Sequence, residues 1–209
     1  MKPEEGEIVL VHGLWFGAWS LGPLARRLER TGLPVRRFSY RTTRAGLDDH
    51  ARRLHEFVNR GPRGVRYYVG HSLGGLVILR MLGLFGDPSV KRVVLLGSPI
   101  KGSGVARRAR RVPGFARITG RVRKDLERGF EECPGGIETG MIAGDRSIGL
   151  GWLLGGLGEP SDGTVAVSET RAAWLKEHSV LPVTHTGMIY SSRVAKEALQ
   201  FLENGCFRR

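Results

Sequence analysis

The sequence predicts an α/β fold with a mostly parallel sheet and helices on both of its faces. Short apolar runs of strand length alternate with segments of helix length along the chain. Such strand, helix, strand repeats close by right-handed crossovers into a parallel sheet. The 209 residues, 41% of them hydrophobic, are enough to bury a substantial core. We therefore expect residues 1–209 to form a single α/β domain.

Six segments have the composition of strands. Several are almost wholly apolar, as parallel strands are when helices cover both of their faces. In chain order they are IVLVHG at 8–13, VRRFSY at 35–40, VRYYVG at 65–70, VKRVVLLG at 90–97, TGMIAG at 139–144 and SVLPV at 179–183. These segments predict a sheet of about six strands.

Helical patterns lie between these strands. They cover residues 18–31, 46–59, 73–85, 165–177 and 191–203. The last two repeat apolar residues at three- and four-residue spacing, as Val194, Ala198 and Phe201 do, and this spacing places them on one face of a helix. We expect each of the five segments to pack against the sheet.

Two long segments interrupt this alternation. Residues 100–135 are basic and residues 144–163 are rich in glycine. Both follow predicted strands, at the end of the sheet where open α/β folds bind their ligands. Long connections inside a compact domain are usually functional. We expect the first to form a cap-like segment and the second a lid-like loop, which its glycines would allow to move.

Composition excludes several classes of protein. The two cysteines, Cys133 and Cys206, have no CxxC or zinc-finger spacing, so neither a disulfide scaffold nor a metal site is expected. The chain has no GK[ST] motif and no dinucleotide fingerprint, and we expect no cofactor. It also lacks a signal-peptide pattern and any run of 18 apolar residues, which predicts a cytoplasmic protein, at most peripheral to a membrane.

Residues 70–74, Gly-His-Ser-Leu-Gly, carry the clearest chemical motif. They lie between an apolar strand and an almost wholly apolar helical segment, the context that a G-x-S-x-G nucleophile turn requires. The glycines would avoid collisions at a sharp turn, and the helix amino terminus would stabilise negative charge beside Ser72. This arrangement favours acyl transfer with Ser72 as the nucleophile.

A second motif is the His-Gly pair at residues 12 and 13, which ends the first strand. The following loop could aim the backbone N–H of Leu14 at the same oxyanion as that of Leu73. Together with Gly-His-Ser-Leu-Gly-Gly, SDGTV at 161–165 and THTG at 184–187, this motif resembles the α/β-hydrolase fold, in its small bacterial lipase and esterase branch. The resemblance implies a minimal six-stranded sheet in the spatial order 2-1-3-4-5-6.

That family orders its triad as serine, acid and histidine. The resemblance therefore implies Ser72 as nucleophile, Asp162 as orienting acid and His185 as general base. Among the histidines, His178 is the rival, although it starts the last strand whereas His185 follows it. The positions of the others suit packing, a helix surface or a turn: His12, His50, His55 and His71. Asp145 directly follows the fifth strand and remains an alternative acid.

The substrate is expected to be an apolar acyl ester. Apolar side chains crowd the predicted mouth of the site, and Trp15, Phe16, Trp152 and Leu153 are the candidates for an acyl pocket. The function implied is serine carboxylic-ester hydrolysis through an acyl-enzyme. A thioesterase or acyltransferase would use the same triad, and a non-catalytic membrane-associated or adaptor protein on this scaffold is the alternative from another class.

Much of the net charge of +13 lies in one segment. Residues 101–128 contain ten Lys and Arg against two acids. The segment could contact the anionic surface of a membrane, which would bring the protein to a lipid ester. It could equally be a solvated cap. Nucleic acid is an unlikely partner, because no recognised nucleic-acid-binding module accompanies the charge.

Overall fold

Within the described residues the sheet has six parallel strands, and its spatial order is the expected one. The computed structural model describes residues 6–109, 119–130, 134–148 and 159–208. The strands are β1 Gly6–Val11, β2 Val35–Phe38, β3 Val65–His71, β4 Val90–Leu96, β5 Glu138–Gly144 and β6 Glu177–Leu181. They pair in the order β2-β1-β3-β4-β5-β6, and every pair is parallel. The predicted fold class is confirmed.

Helices cover both faces of this sheet. They are α1 Gly22–Leu28, α2 Leu47–Asn59, α3 Leu73–Phe85, α4 Gly104–Ala109, α5 Arg123–Arg128 and α6 Ser192–Asn204. Helices α2 and α3 pack on one face, and α1 and α6 pack on the other. Strand β1 shows why both faces are apolar: Val9 and Val11 point to α2 and α3, while Ile8 and Leu10 point to α1 and α6.

The helix predicted over residues 165–177 is wrong. Only Val167–Thr170 forms a helical turn, of 3-10 type, and the chain becomes extended at Arg171 (φ −96°, ψ 132°). The carboxylate of Glu169 accepts the N–H groups of Ala166 and Gly104, so a side chain holds this turn. Apolar residues further along pack partly buried against the core without helical geometry, namely Ala172, Trp174 and Leu175. The helical spacing of these apolar residues therefore reflects their burial and not a helix.

Among the described residues, no helix has both the length and the apolar character needed to cross a bilayer.

Candidate active site

Ser72 lies at the turn between β3 and α3. Its backbone has φ 55° and ψ −122°, a left-handed conformation that non-glycine residues adopt only under strain. The turn is held in place because the Ser72 N–H donates to the carbonyl of Leu96 at 2.8 Å. The serine therefore sits at the carboxyl edge of the sheet, at the amino terminus of a long helix.

The glycines around Ser72 allow this turn to pack closely. A Cβ atom on Gly70 would lie 2.5 Å from the Cα of Gly75 in α3. A Cβ atom on Gly74 would lie 2.2 Å from the carbonyl oxygen of Val11 at the end of β1. Both distances are shorter than any stable contact, so the first turn of α3 can lie against β1 and β3 only if both residues are glycine.

His185 and Asp162 form a buried pair. The Nδ1 atom of His185 lies 2.6 Å from Oδ2 of Asp162, and Asp162 is 1% exposed. The other carboxylate oxygen accepts the N–H groups of Thr164 at 2.9 Å and Val165 at 2.7 Å. The His185 N–H also donates to the Asp162 carbonyl at 2.8 Å. Because a carboxylate only accepts, this geometry places the ring proton on Nδ1, so that Nε2 carries the lone pair.

The rival residues lie elsewhere. Asp145 follows β5 as expected, but it is exposed, and its own N–H donates to the carbonyl of Leu181. His178 lies within β6, where its Nε2 is 2.9 Å from the hydroxyl of Thr170. Neither residue lines the cavity at Ser72.

The loop after β1 passes directly beside Ser72. A Cβ atom on Gly13 would lie 3.1 Å from the Cβ of Ser72. Tyr40 holds this loop, since its hydroxyl donates to the His12 carbonyl at 2.8 Å and its N–H donates to the His12 ring at 3.3 Å. Within the described part of the chain, no acceptor lies on the amide of Leu14 or that of Leu73. Each of these two N–H groups can therefore still donate a hydrogen bond.

His71, the residue before the serine, links two loops of the site. Its Nε2–H donates to the His185 carbonyl at 3.0 Å, and its ring makes a T-shaped contact with Phe16, with 6.0 Å between centroids. Burial, followed by the nearby His185, lowers the pKa of His71 to about 3. The ring is therefore neutral at physiological pH. From its position in the sequence, only packing, a helix surface or a turn was expected of it.

Gly97 is a second residue that sequence reasoning missed. It directly follows β4, with a positive φ of 56°. A Cβ atom here would lie 2.9 Å from Oδ2 of Asp162 and 3.2 Å from Nδ1 of His185. The histidine and aspartate can therefore meet only because this position has no side chain. The sequence signal that could have indicated Gly97 is a glycine at the end of a predicted buried strand.

A cavity of about 340 Å³ opens beside Ser72 and His185. Trp15 and Phe16 line it, as do Leu14 and His71; the other lining residues are Pro99, Ser103, Val105, Ala106, Thr119, Leu126, Ile148, Thr164, Val165, Thr184 and Thr186. Trp152 and Leu153 lie outside the described residues. The contribution of Val105, Ala106 and Leu126 shows that part of the basic segment forms an apolar cavity wall.

The described residues contain no group of three or more His, Cys, Asp and Glu side chains arranged to bind a metal ion.

Acid should destabilise the fold through His71. Its pKa is about 3 when folded against 6.5 for an ordinary histidine, so below pH 6.5 only the unfolded chain gains the proton. The free energy of unfolding should then fall by up to about 1.4 kcal/mol per pH unit, or about 2 kcal/mol between pH 6.5 and pH 5. Urea unfolding of the parent and of His71→Gln, at pH 6.5 and at pH 5, measures this contribution of His71. A variant that is equally sensitive to acid would contradict it.

Several solved structures have the same fold as this chain. The mature lipase of Bacillus licheniformis is 19% identical over 96% of this chain and 92% of its own, with a TM-score of 0.75. Polyneuridine aldehyde esterase is 14% identical over 96% of this chain and 100% of its own, with a TM-score of 0.65. A metagenomic carboxyl esterase is 19% identical over 86% of this chain and 64% of its own, with a TM-score of 0.67.

These structural neighbours share the fold at low identity, and no protein with a curated description matches the sequence. The family is shown by a match of the sequence itself, because residues 8–193 fit the alpha/beta hydrolase family. The matched range begins in β1 and ends in α6, and it includes the turn at Ser72, the buried Asp162 and His185. The chain belongs to the alpha/beta hydrolase family.

Proposed function

We propose that this protein is a serine hydrolase that cleaves carboxylic esters with apolar acyl groups. One observation carries the proposal: Ser72, on a strained turn, and His185, paired with the buried Asp162, line the same apolar cavity. A serine hydroxyl is a weak nucleophile unless a neutral imidazole takes its proton, and the imidazole needs an acceptor on its other nitrogen.

Acylation begins with the attack of Ser72 Oγ on the ester carbonyl while Nε2 of His185 takes the hydroxyl proton. Asp162 stabilises the imidazolium that forms. The backbone N–H groups of Leu14 and Leu73 bind the negative oxygen of the tetrahedral intermediate. Its collapse breaks the ester C–O bond, and the imidazolium returns its proton to the departing alkoxide. The products of this half-reaction are an acyl-serine and an alcohol.

Deacylation repeats these steps with water as the nucleophile. His185 takes a proton from the water as its oxygen attacks the acyl carbon. The second tetrahedral intermediate breaks the bond to Ser72 Oγ, which recovers its proton from His185. The acid leaves and the enzyme returns to its starting state. The cavity beside Ser72 would hold the acyl group throughout, since its lining is mostly apolar.

Covalent labelling tests this proposal directly. The parent should gain a single adduct from a small fluorophosphonate, and Ser72→Ala should gain none, by intact-mass measurement. The same variant should lose ester turnover by about 10⁶-fold in kcat, the effect of removing an activated serine. Ser103→Ala removes a second hydroxyl from the cavity wall and should keep the adduct.

Two outcomes would contradict the proposal. An adduct that persists in Ser72→Ala would place the nucleophile elsewhere. A folded parent that neither takes up the label nor hydrolyses any ester would favour a non-catalytic role for the scaffold.

A further inference from the structure

Backbone hydrogen bonds hold one wall of the cavity together. It consists of residues 100–109 and 123–130, which we call the cap wall. The Ser103 N–H donates to the Leu126 carbonyl at 2.7 Å, and the Phe130 N–H donates to the Ile100 carbonyl at 2.6 Å. Two backbone hydrogen bonds thus join residues 100–109 to residues 123–130. A displacement of one part would move the other.

The buried carboxylate of Glu169 joins the cap wall to residues 163–166, which follow Asp162 and which we call the acid loop. Glu169 is 8% exposed. Its Oε1 accepts the N–H of Gly104 at the start of α4, and its Oε2 accepts the N–H of Ala166 at 3.0 Å. Its carbonyl also accepts the N–H of Lys101 at 3.0 Å. Glu169 therefore contacts the cap wall through two of its acceptors and the acid loop through a third.

The acid loop continues this connection to the catalytic pair. Val165, next to Ala166, donates its N–H to Oδ1 of Asp162 at 2.7 Å, and its carbonyl accepts the Asp162 N–H at 3.1 Å. The Val165 side chain also lines the cavity. Direct contacts thus run from the cap wall through Glu169 and Val165 to Asp162, whose other oxygen binds His185.

We infer that Glu169 is a positioning residue that couples the acyl-binding cavity to the Asp162–His185 pair. An acyl chain that fills the cavity presses on Val105 and Val165, and Glu169 prevents these two walls from separating. The acid loop then holds Asp162 in its productive position when the cavity is filled. This inference rests on the proposed ester hydrolysis, and it makes kcat depend on acyl length.

The volume of the cavity sets the acyl lengths over which kcat should rise. A void of roughly 150 Å³ accommodates benzene, with six carbon atoms. The 340 Å³ here therefore admits about a dozen carbon atoms, some of which belong to the alcohol. We expect kcat to rise by about tenfold from an acetyl to an octanoyl ester, which is the size of ordinary coupling between two sites, and to rise no further with longer chains.

Glu169→Gln tests the coupling because an amide has one acceptor oxygen and one donor group. It can accept only one of the two N–H groups that Glu169 accepts, and the other then faces a donor. With p-nitrophenyl esters of increasing length, Glu169→Gln should keep the acetyl kcat and lose the tenfold rise. A residue that merely shapes the cavity would instead raise KM for long esters at unchanged kcat.

Two further variants keep this test decisive. Gly104→Ala places a Cβ atom 2.8 Å from Oε1 of Glu169 and should reproduce the loss with Glu169 intact. Glu127→Gln is the matched control, because this carboxylate is not among the residues that line the cavity and it pairs with Arg123 at 3.1 Å. The control should keep the full dependence on acyl length.

The outcomes separate this inference from the proposed function. A parent that hydrolyses no ester of any length overturns both. A parent that hydrolyses esters, with the same length profile in Glu169→Gln, overturns the coupling alone. Two further results would also overturn the coupling. One is a loss of kcat in Glu169→Gln that is equal for all acyl lengths, and the other is a change in the dependence of kcat on acyl length in Glu127→Gln. Either would show that Glu169 does not specifically link the filling of the cavity to Asp162.

Discussion

Asp162→Asn should lower kcat for ester hydrolysis by about 10⁴-fold, the effect expected when the histidine of a triad is held in the wrong tautomer. An asparagine can turn its NH₂ group toward Nδ1 of His185, which then becomes an acceptor and moves the ring proton to Nε2. His185 could no longer take a proton from Ser72. Steady-state kinetics with a p-nitrophenyl ester measures this loss.

Asp145→Asn is the control for this prediction. Asp145 is exposed and lies apart from the cavity that holds Ser72 and His185. Its substitution should leave kcat within about twofold of the parent, as surface changes usually do. The assignment of the acid would be overturned if Asp145→Asn lost activity by orders of magnitude and Asp162→Asn did not.

Gly97→Ala should reduce both activity and stability. Its positive φ of 56° costs a residue with a Cβ atom about 1–2 kcal/mol. The new methyl group would also meet Asp162 Oδ2 at 2.9 Å and His185 Nδ1 at 3.2 Å, so the pair must shift. A displacement of about 1 Å in a catalytic group can lower kcat by about 10²-fold. Kinetics and urea unfolding of the same preparation would measure both effects.

Gly32→Ala separates strain from steric contact. Gly32 also has a positive φ, of 79°, but no atom lies within 4 Å of a Cβ added there. It should lose about 1 kcal/mol of stability and keep the parent kcat. Equal kcat in Gly97→Ala and Gly32→Ala would show that the space left by Gly97 beside His185 and Asp162 does not affect catalysis.

Local patterns predicted the sheet and the turn at Ser72. The apolar run at residues 65–70 became β3, and the segment at 73–85 became α3 with the same bounds. Burial on both faces makes such a strand continuously apolar, and this property is visible in a few adjacent residues. Gly70 and Gly74 were informative for a similar reason, because a sharp turn between two packed elements excludes side chains at fixed spacing.

The segment at 165–177 shows where such patterns fail. Its apolar spacing is helical, yet Glu169 uses both carboxylate oxygens on backbone N–H groups and holds a short turn. One of these groups belongs to Gly104, 65 residues earlier. No local pattern contains that partner. The cap wall is a similar case, since Val105, Ala106 and Leu126 line the cavity within a segment whose sequence is dominated by basic residues.

The sequence by itself determined the α/β class, the six strands and the placement of Ser72 between a strand and a helix, because periodicity and turn chemistry depend on neighbouring residues. Only the tertiary structure showed that Asp162 rather than Asp145 meets His185, that Gly97 leaves room for this contact, and that Glu169 joins the cap wall to the acid loop. Each of these depends on groups far apart in the chain, whose distance is set by how the whole sheet and its loops pack.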